Sequence, residues 1–251
     1  MEAAFALPTL HQDYAAYTRE DHAVWRTLFE RQMEVLPPLA SRGYLEGIQN
    51  VNFTADRIPN YEETNQILRG LTGWEIFVVP GLIPNRPFFE LMRDRKFCAS
   101  TWLRKREQLD YLEEPDMFHD IFGHVPMLTD PNVCNFLSEL ARIALRHIDD
   151  ERAIELIARL YWYTIEFGLI RENGETKIFG AGILSSKGES LYCLGPEPRR
   201  VPYDVRDILR TPYIKEHYQE QYWVLDSFEQ LFGSIPDIER ILEEELSRQP
   251  A

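Results

Sequence analysis

The chain has few cysteines, a deficit of basic charge and no long apolar run. Its 251 residues include only Cys98, Cys134 and Cys193, which are widely spaced and form no CxxC pair. We therefore expect neither a disulfide framework nor a cysteine zinc site, and we expect a reducing compartment. No segment approaches the roughly 20 apolar residues of a membrane helix, and the N-terminal apolar run is too short for a signal peptide. These absences predict a soluble, cytoplasmic protein.

Acidic residues outnumber basic ones. The sequence has 41 Asp and Glu against 27 Lys and Arg, which gives a formal net charge of -14. A field of this sign repels nucleic-acid phosphates and anionic lipids, so neither nucleic acid nor a membrane is expected as a partner. Hydrophobic residues make up 44% and aromatic residues 12% of the chain, which favours a globular core.

Capping signals and hydrophobic periodicity predict a mostly helical chain. Thr18 with Asp21, and Asn60 with Glu63, have the spacing of a capping box at a helix start. The predicted helices lie at about 19–35, 60–70, 86–96, 132–148, 151–170 and 236–248. Short strands are predicted at 74–80 and 97–104, a turn at 172–176, and a strand followed by a glycine-rich loop in KIFGAGILSS. Pro37 and Pro38 are expected to end the first helix.

Two histidines, His119 and His124, stand five positions apart in EPDMFHDIFGHVPML. In a regular α-helix such residues point about 140° apart, so they do not share one face. A helix stopped at Gly123, and kept from resuming by Pro126, would turn His124 back towards His119. The spacing thus leaves open one shared site or two ordinary histidines. The histidines without a partner at ligand spacing are His11, His22, His147 and His217.

A third ligand can be sought as an acidic residue in apolar surroundings. In RLYWYTIEFGLI, Glu166 has Trp162 one turn before it and Ile170 one turn after it. A lone carboxylate there carries a desolvation cost unless a cation or a hydrogen-bond donor meets it. The same helical stripe contains Glu155 and Arg159, so an exposed position for Glu166 is the other interpretation.

Two imidazoles and one carboxylate are the ligand set of mononuclear non-haem Fe(II) oxygenases, which leave positions open for O₂ and a cosubstrate. The same donors also make catalytic zinc sites, so a zinc-dependent hydrolase is a rival, although the chain has no HExxH motif. A further rival is a non-catalytic, metal-stabilised partner-binding protein. Structural zinc sites are normally closed by four protein ligands, whereas only three are found here.

Several longer motifs resemble those of the pterin-dependent aromatic amino acid hydroxylases, in their short bacterial, phenylalanine-hydroxylating form. They are EPDMFHDIFGHVP, YWYTIEFGL, FGAGILSSKGE, RKREQLDYLEEPD and VVPGLIPNRPFF, within about residues 45–235. The resemblance implies a mainly α (α+β) catalytic domain with a few short strands around a non-haem iron cleft. It implies Fe(II), a tetrahydropterin such as tetrahydrobiopterin, and O₂ as cosubstrate. The implied reaction hydroxylates L-phenylalanine to L-tyrosine.

The resemblance also implies roles for individual residues. The implied Fe(II) ligands are His119, His124 and Glu166. Arg104 matches the arginine that binds the carboxylate of the amino acid, a group that a guanidinium fork fits. The other residues implied on the substrate side are Pro115, Trp162, Gly182, Ser185 and Ser186. The residues implied to contact the pterin are Gly81, Leu82, Ile83, Phe88, Asp120, Ala158 and Tyr161.

Residues 1–251 are expected to form a single catalytic domain, with an irregular segment at 1–17 and no regulatory domain. No tetramerisation helix of the length found in animal relatives is present, so a monomer is expected.

Trp162 favours phenylalanine over tryptophan as the substrate, since relatives that accept indole tend to carry a smaller aromatic residue at this position. Tryptophan as substrate, or meta-tyrosine as product, remains an alternative within the same chemistry.

Overall fold

The computed structural model describes residues 8–109, 112 and 114–248; the first seven residues of the predicted irregular segment lie outside them. The described chain is mostly helical. Its α-helices are Arg19–Met33, Leu36–Leu39, Arg42–Asn50, Tyr61–Leu71, Asn85–Arg93, Pro131–Arg146, Glu151–Tyr161, Ala181–Leu184, Lys187–Tyr192, Val205–Arg210, Phe228–Gly233 and Ile235–Ser247. Its 3-10 helices are Tyr14–Ala16, Arg106–Gln108 and Val125–Thr129, and its π-helical segments are Phe118–His124 and Trp162–Glu166. No helix in the described ranges is long and apolar enough to cross a membrane.

The helix starts follow from the local sequence. Thr18 and Asp21 form a reciprocal capping box at the first turn of Arg19–Met33. The side chain of Asn60 accepts hydrogen bonds from two backbone N–H groups in the first turn of Tyr61–Leu71. These contacts satisfy N–H groups that have no partner within the helix. Both predicted caps are therefore confirmed, although Glu63 pairs with Arg57 rather than completing a second box.

The strands form two small sheets. They are β1 (Glu75–Val78), β2 (Lys96–Ala99), β3 (Leu169–Glu172), β4 (Glu175–Ile178), β5 (Arg199–Pro202) and β6 (Gln221–Leu225). β1 and β2 are parallel and are connected through helix Asn85–Arg93. The second sheet has the order β4-β3-β6-β5, and its β3–β4 hairpin turns at Asn173 and Gly174, both with positive φ. The predicted turn in ENGET is thus confirmed.

Four predicted elements differ from the structure. The predicted helix 151–170 ends at Tyr161, and after a π-helical segment the chain enters β3, because β3 pairs with β6 about fifty residues later. The strand predicted at 97–104 is confined to Lys96–Ala99, and the predicted glycine-rich loop contains helix Ala181–Leu184. The two prolines after the first helix lie inside the short helix Leu36–Leu39, since proline is tolerated in a first turn. Strand pairing between distant segments and tight packing, rather than the local sequence, determine the structure of these four elements.

An aromatic cluster fixes the segment that carries the two histidines. The rings of Phe118 and Phe122 stack with their centroids 4.7 Å apart. Trp25 meets Phe118 edge to face at 5.4 Å, and the Tyr44 hydroxyl donates a hydrogen bond of 2.8 Å to the carbonyl of Phe122. All four side chains are fully buried. The histidine segment therefore rests on rigid core packing rather than on a surface loop.

Candidate metal centre and active site

Three side chains from two distant segments meet in one place. The Nε2 atoms of His119 and His124 are 3.2 Å apart. Glu166 places Oε2 at 3.5 Å from Nε2 of His119 and Oε1 at 3.1 Å from Nε2 of His124. The side chain of Glu166 is only 14% exposed, so this carboxylate does not lie on a solvated face. These three residues are the group in the described ranges whose ligand atoms all lie within 4.8 Å of one another.

The two histidines share one face for a reason other than the one predicted. Phe118–His124 is a π-helix, whose i→i+5 hydrogen bonds place residues five apart nearly above one another. Gly123 does not end the helix in a left-handed conformation, and the chain continues through Pro126 as a 3-10 helix. The predicted stop at Gly123 is therefore wrong. What Gly123 provides is room, because a Cβ there would lie 2.9 Å from the carbonyl oxygen of Ala181.

The spacing of the three ligand atoms fits a metal ion. Ligands about 2.0–2.1 Å from one metal are separated by roughly 3.0 Å at right angles and roughly 3.4 Å at tetrahedral angles. The observed separations of 3.1 and 3.2 Å lie in this range, and the third, 3.5 Å, is slightly above it. Without a cation, two imidazole nitrogens and a carboxylate would be held together in a mostly buried cavity. The donor set therefore fits a divalent transition metal bound by three protein ligands.

The ionisation of these groups also suits a cation. Burial lowers the pKa of His119 to about 4, so its imidazole is neutral at neutral pH, the form that binds metals. Burial alone would raise the pKa of Glu166, but the adjacent imidazoles of His124 and His119 outweigh it, and the pKa is lowered. The site thus offers a neutral imidazole at His119 and a negative charge at Glu166.

Ser185 fixes the orientation of one imidazole. Its hydroxyl donates to the carbonyl of Ala181 at 2.8 Å and lies 3.0 Å from Nδ1 of His119. Since the single hydroxyl proton goes to Ala181, Nδ1 of His119 must be the donor in the second contact. The tautomer with a proton on Nδ1 leaves the lone pair of Nε2 free to face Glu166 and a metal.

Arg104 is held by a buried carboxylate. Asp116, whose side chain has no exposed surface, accepts from Nε of Arg104 at 2.9 Å and from Nη2 at 2.8 Å. Asp116 also accepts from the backbone N–H of His119 at 3.1 Å, which ties the arginine to the metal-ligand segment. Two of the five guanidinium donors are used in this way, and the others remain for a ligand.

Trp162 forms an aromatic wall four residues before Glu166. Its ring lies 4.6 Å from that of Phe167 and stacks on Tyr213 at 4.5 Å with an interplanar angle of 19°. Pro115 is exposed and directly precedes the buried Asp116. Trp162 and Glu166 are placed by the same π-helical segment, in which the backbone N–H of Phe167 bonds to the carbonyl of Trp162.

The remaining residues predicted on the substrate side, Gly182 and Ser186, have structural contacts. A Cβ at Gly182 would lie 2.8 Å from the ring of Phe167 and 3.1 Å from the carbonyl oxygen of Glu166, so this glycine permits close approach to the ligand segment. The hydroxyl of Ser186 accepts from the backbone N–H of Glu189 and caps helix Lys187–Tyr192. Ser186 therefore contacts a helix terminus, whereas its neighbour Ser185 contacts His119.

The residues predicted to contact a pterin lie in the loop before helix Asn85–Arg93, in that helix, in the segment Phe118–His124 and in helix Glu151–Tyr161. Phe88 and Tyr161 meet edge to face at 6.0 Å, and Tyr161 lies 6.5 Å from the ring of His124. Asp120 accepts a hydrogen bond of 2.8 Å from the backbone N–H of Ser100, and burial raises its pKa to about 7. Gly81 has a φ of 150°, Leu82 is 78% exposed, and Ile83 and Ala158 are half-buried.

Sequence reasoning missed three residues of the site. Asp116 stands twelve positions after the predicted carboxylate-binding arginine, and no local pattern in the sequence connects the two residues. Tyr213 and Gln219 lie in a segment that carried no motif, yet they contact Trp162 by ring stacking and by a hydrogen bond. No local signal in the sequence connects these positions with Trp162.

The fold and the site together define a class. A mostly helical chain that carries a two-histidine, one-carboxylate centre with open positions has the arrangement of mononuclear non-haem metal enzymes. The model of the biopterin-dependent aromatic amino acid hydroxylases matches residues 10–247. The chain belongs to this family.

Curated relatives are similar over most of their length. The chain is 46% identical over 231 residues to the phenylalanine-4-hydroxylase of Chromobacterium violaceum, which covers 91% of this chain and 77% of that protein. It is 45% identical over 237 residues to the phenylalanine-4-hydroxylase of Ralstonia nicotianae, which covers 94% of this chain and 75% of that protein.

Two solved structures of the C. violaceum enzyme are also similar to this chain. One, with bound iron(III) and oxidised 7,8-dihydrobiopterin, has a TM-score of 0.90 and 44% identity; the other, with iron and phenylalanine, has 0.89 and 43%. In both, 96% of this chain and 88% of the other are covered.

Proposed function

We propose that this protein hydroxylates L-phenylalanine to L-tyrosine, using O₂ and a tetrahydropterin at a mononuclear Fe(II) site. The observation that carries the proposal is the convergence of His119, His124 and Glu166 in a mostly buried site. Family membership and the curated relatives named phenylalanine-4-hydroxylase support it.

The three ligands would hold Fe(II) through Nε2 of each histidine and the carboxylate of Glu166. When bound, Fe(II) would activate O₂ and the reduced pterin would supply two electrons, so that one oxygen atom enters the substrate ring and the other is reduced to the oxidation state of water. The protein keeps the imidazole of His119 neutral, and Ser185 orients it and fixes its tautomer. With three protein ligands, part of the coordination sphere of a bound metal would remain open.

The substrate would be oriented by charge at one end and by aromatic packing at the other. Arg104, held rigidly by Asp116, would bind the carboxylate of the amino acid with its remaining N–H donors. Trp162 and Pro115 would line the space for the ring, and Gly182 keeps the adjacent backbone close to Glu166. Fixing both ends of the substrate beside the metal lowers the entropic part of the barrier.

The pterin would lie between the loop that contains Gly81, Leu82 and Ile83 and the rings of Phe88 and Tyr161. Phe88 offers a face on which a flat heterocycle can stack. The contact between the rings of Tyr161 and His124 supports a position of this surface beside the proposed metal ligands. Asp120 and Ala158 complete the proposed surface.

We further propose that the protein acts as a monomer in the cytoplasm, with a small-molecule substrate and without nucleic acid or membrane as a partner. The net charge of -14 supports the last part, since it opposes binding to polyanions.

One experiment tests the reaction and its position. Protein loaded anaerobically with Fe(II) receives phenylalanine, a tetrahydropterin and O₂, and the products are separated by chromatography. We expect para-tyrosine that requires iron and pterin. Meta-tyrosine, or activity only with tryptophan, would overturn the proposed position or substrate. If no aromatic amino acid is hydroxylated and no pterin is consumed, the proposed reaction is wrong. His119→Ala is the control: we expect it to fold, as judged by its melting transition, and to form no product.

A further inference from the structure

One buried polar residue stands out in an exposed loop. The segment 211–220 joins helix Val205–Arg210 to β6, and most of its side chains are exposed. Gln219 is the exception, with 4% of its surface exposed. A buried amide requires hydrogen-bond partners on both its oxygen and its nitrogen, so its contacts show what holds it there.

The two ends of this amide bond to different parts of the molecule. Nε1 of Trp162 donates to Oε1 of Gln219 at 3.2 Å. Nε2 of Gln219 donates to the carbonyl of Ile214 at 2.7 Å, across the same loop. The side chain therefore links the indole of Trp162 to the loop that presents Tyr213, whose ring stacks on that indole.

The backbone of Gln219 also lies next to the carboxyl group of Glu189, which accepts a hydrogen bond of 2.7 Å from the hydroxyl of Tyr222. Tyr222 is fully buried in β6, so the anchor belongs to the rigid sheet rather than to the loop. Gln219 thus lies beside a carboxyl group anchored on the sheet, and its amide oxygen accepts from the indole N–H of Trp162.

We propose that Gln219 is a positioning residue that sets the orientation of the Trp162 indole and thereby selects a phenyl ring over an indole ring as substrate. This inference rests on the proposed function, in which Trp162 lines the space for the substrate ring. A half-buried indole N–H that lacks a hydrogen-bond partner raises the free energy of the folded state. The indole ring therefore stays in the orientation in which its N–H donates to Oε1 of Gln219. In that orientation Tyr213 covers one face of the indole. The Trp162 side chain therefore cannot rotate to make room for a larger substrate ring.

The test uses Gln219→Met, which keeps the length of the side chain and removes both polar groups. We expect KM for phenylalanine to rise about tenfold with kcat changed less than about threefold, and the ratio of kcat/KM for phenylalanine over tryptophan to fall about tenfold. KM for the pterin stays unchanged. The matched control is Glu220→Gln at the exposed neighbouring position, which we expect to match the wild type in all of these values.

A double-mutant cycle with Trp162→Phe separates positioning from loop structure. Phenylalanine at position 162 has no N–H for Gln219 to accept, so Gln219→Met is expected to have no further effect on the phenylalanine-to-tryptophan ratio in that background. An equal effect in both backgrounds would show that Gln219 acts only through Ile214 and would overturn the proposal. So would an unchanged ratio in Gln219→Met.

Two additions keep the test decisive. If Gln219→Met does not fold, Gln219→Asn, which is one methylene shorter, replaces it with the same expected direction. Failure of the proposed function is recognised separately, because the wild type itself would then form no hydroxylated product. In that case calorimetric binding of phenylalanine and tryptophan to the iron-loaded wild type and variants measures the same ratio, and an unchanged ratio counts against Gln219.

Discussion

At the scale of single residues, the site depends on which nitrogen of His119 carries the proton. Ser185 decides this because its own proton is donated to Ala181 and its oxygen is left to accept from Nδ1. A histidine oriented in this way presents Nε2 towards Glu166 without rearrangement. The contact is short range, yet it joins residues 66 positions apart.

Replacing Ser185 with alanine is expected to weaken metal binding. The variant loses the acceptor for Nδ1 of His119, so the ring and its tautomer are no longer fixed, and metal affinity falls about 10- to 100-fold. Titration with Co(II) or Fe(II) against a competing chelator measures this change. The control is Ser138→Ala, because the buried hydroxyl of Ser138 has no hydrogen-bond partner among the described residues. Equal affinity in Ser185→Ala and the wild type would contradict the assigned role.

Glu189 makes the free energy of unfolding depend on pH. Burial raises the pKa of Glu189 to about 7, against the opposing effect of the hydrogen bonds from Tyr222 and the backbone of Gln219. Between the ordinary value of 4.5 and about 7, the folded protein keeps a proton that the unfolded chain releases. The contribution of Glu189 to the free energy of unfolding therefore falls as the pH rises through this window.

We expect Glu189→Gln to remove this contribution. Relative to the wild type, the variant becomes more stable as the pH rises from about 5 to 7.5, by at most about 3 kcal/mol. Urea unfolding at several pH values measures the difference. Glu197→Gln, which changes an exposed carboxylate nearby, is the control and should leave the pH profile unchanged. A difference between Glu189→Gln and the wild type that is constant across this pH range would refute the prediction.

At the scale of elements, two π-helical segments build the site. Phe118–His124 aligns two histidines five residues apart, and Trp162–Glu166 places the carboxylate ligand beside the aromatic wall. Helix Ala181–Leu184 packs against the first segment at Gly123 and against the second at Gly182. The three elements therefore form one unit in which a small displacement of any member separates the ligands.

Gly123→Ala tests this unit. The added Cβ would lie 2.9 Å from the carbonyl oxygen of Ala181, so the two elements must move apart. We expect the free energy of unfolding to fall by about 1–3 kcal/mol and metal affinity to fall with it. Urea unfolding and metal titration measure the two effects. Gly70→Ala is the control: it lies in helix Tyr61–Leu71 with nothing within 4 Å of the added Cβ, and we expect it to gain about 0.5–1 kcal/mol. If Gly123→Ala matches the wild type in both stability and metal affinity, the packing at Gly123 accommodates a Cβ and the prediction is wrong.

At the scale of the whole molecule, the candidate metal centre joins parts of the chain that are far apart in sequence. His119 and His124 come from one segment, Glu166 from a second, and Ser185 supports the first from a third. A metal held by these residues binds the folded state and not the unfolded chain, so it stabilises the fold by mass action.

We expect metal loading to raise the melting temperature. A metal concentration of 100 times Kd adds about 2.7 kcal/mol, which corresponds to ~5–10 °C for a chain of this size. Scanning calorimetry of the protein with chelator and with anaerobic Fe(II) measures the shift. His119→Ala is the control: it should melt near the wild-type protein in chelator and show little response to Fe(II). Identical melting of the wild type in chelator and in Fe(II) would argue against a metal in this site.

The amino-acid sequence by itself determined the helix starts at Thr18 and Asn60 and the hairpin at Asn173 and Gly174, because capping and turns depend on neighbours a few residues away. It also supplied the chemistry of the site, since the ligand types and the longer motifs are written in the chain.

Only the tertiary structure decided how these residues meet. The π-helical alignment of the histidines, the change from helix to β3, the pairing of Arg104 with Asp116, and the contact of Gln219 with Trp162 join partners that no local pattern connects. Their energies come from packing, burial and long-range hydrogen bonds, which exist only once distant segments have come together.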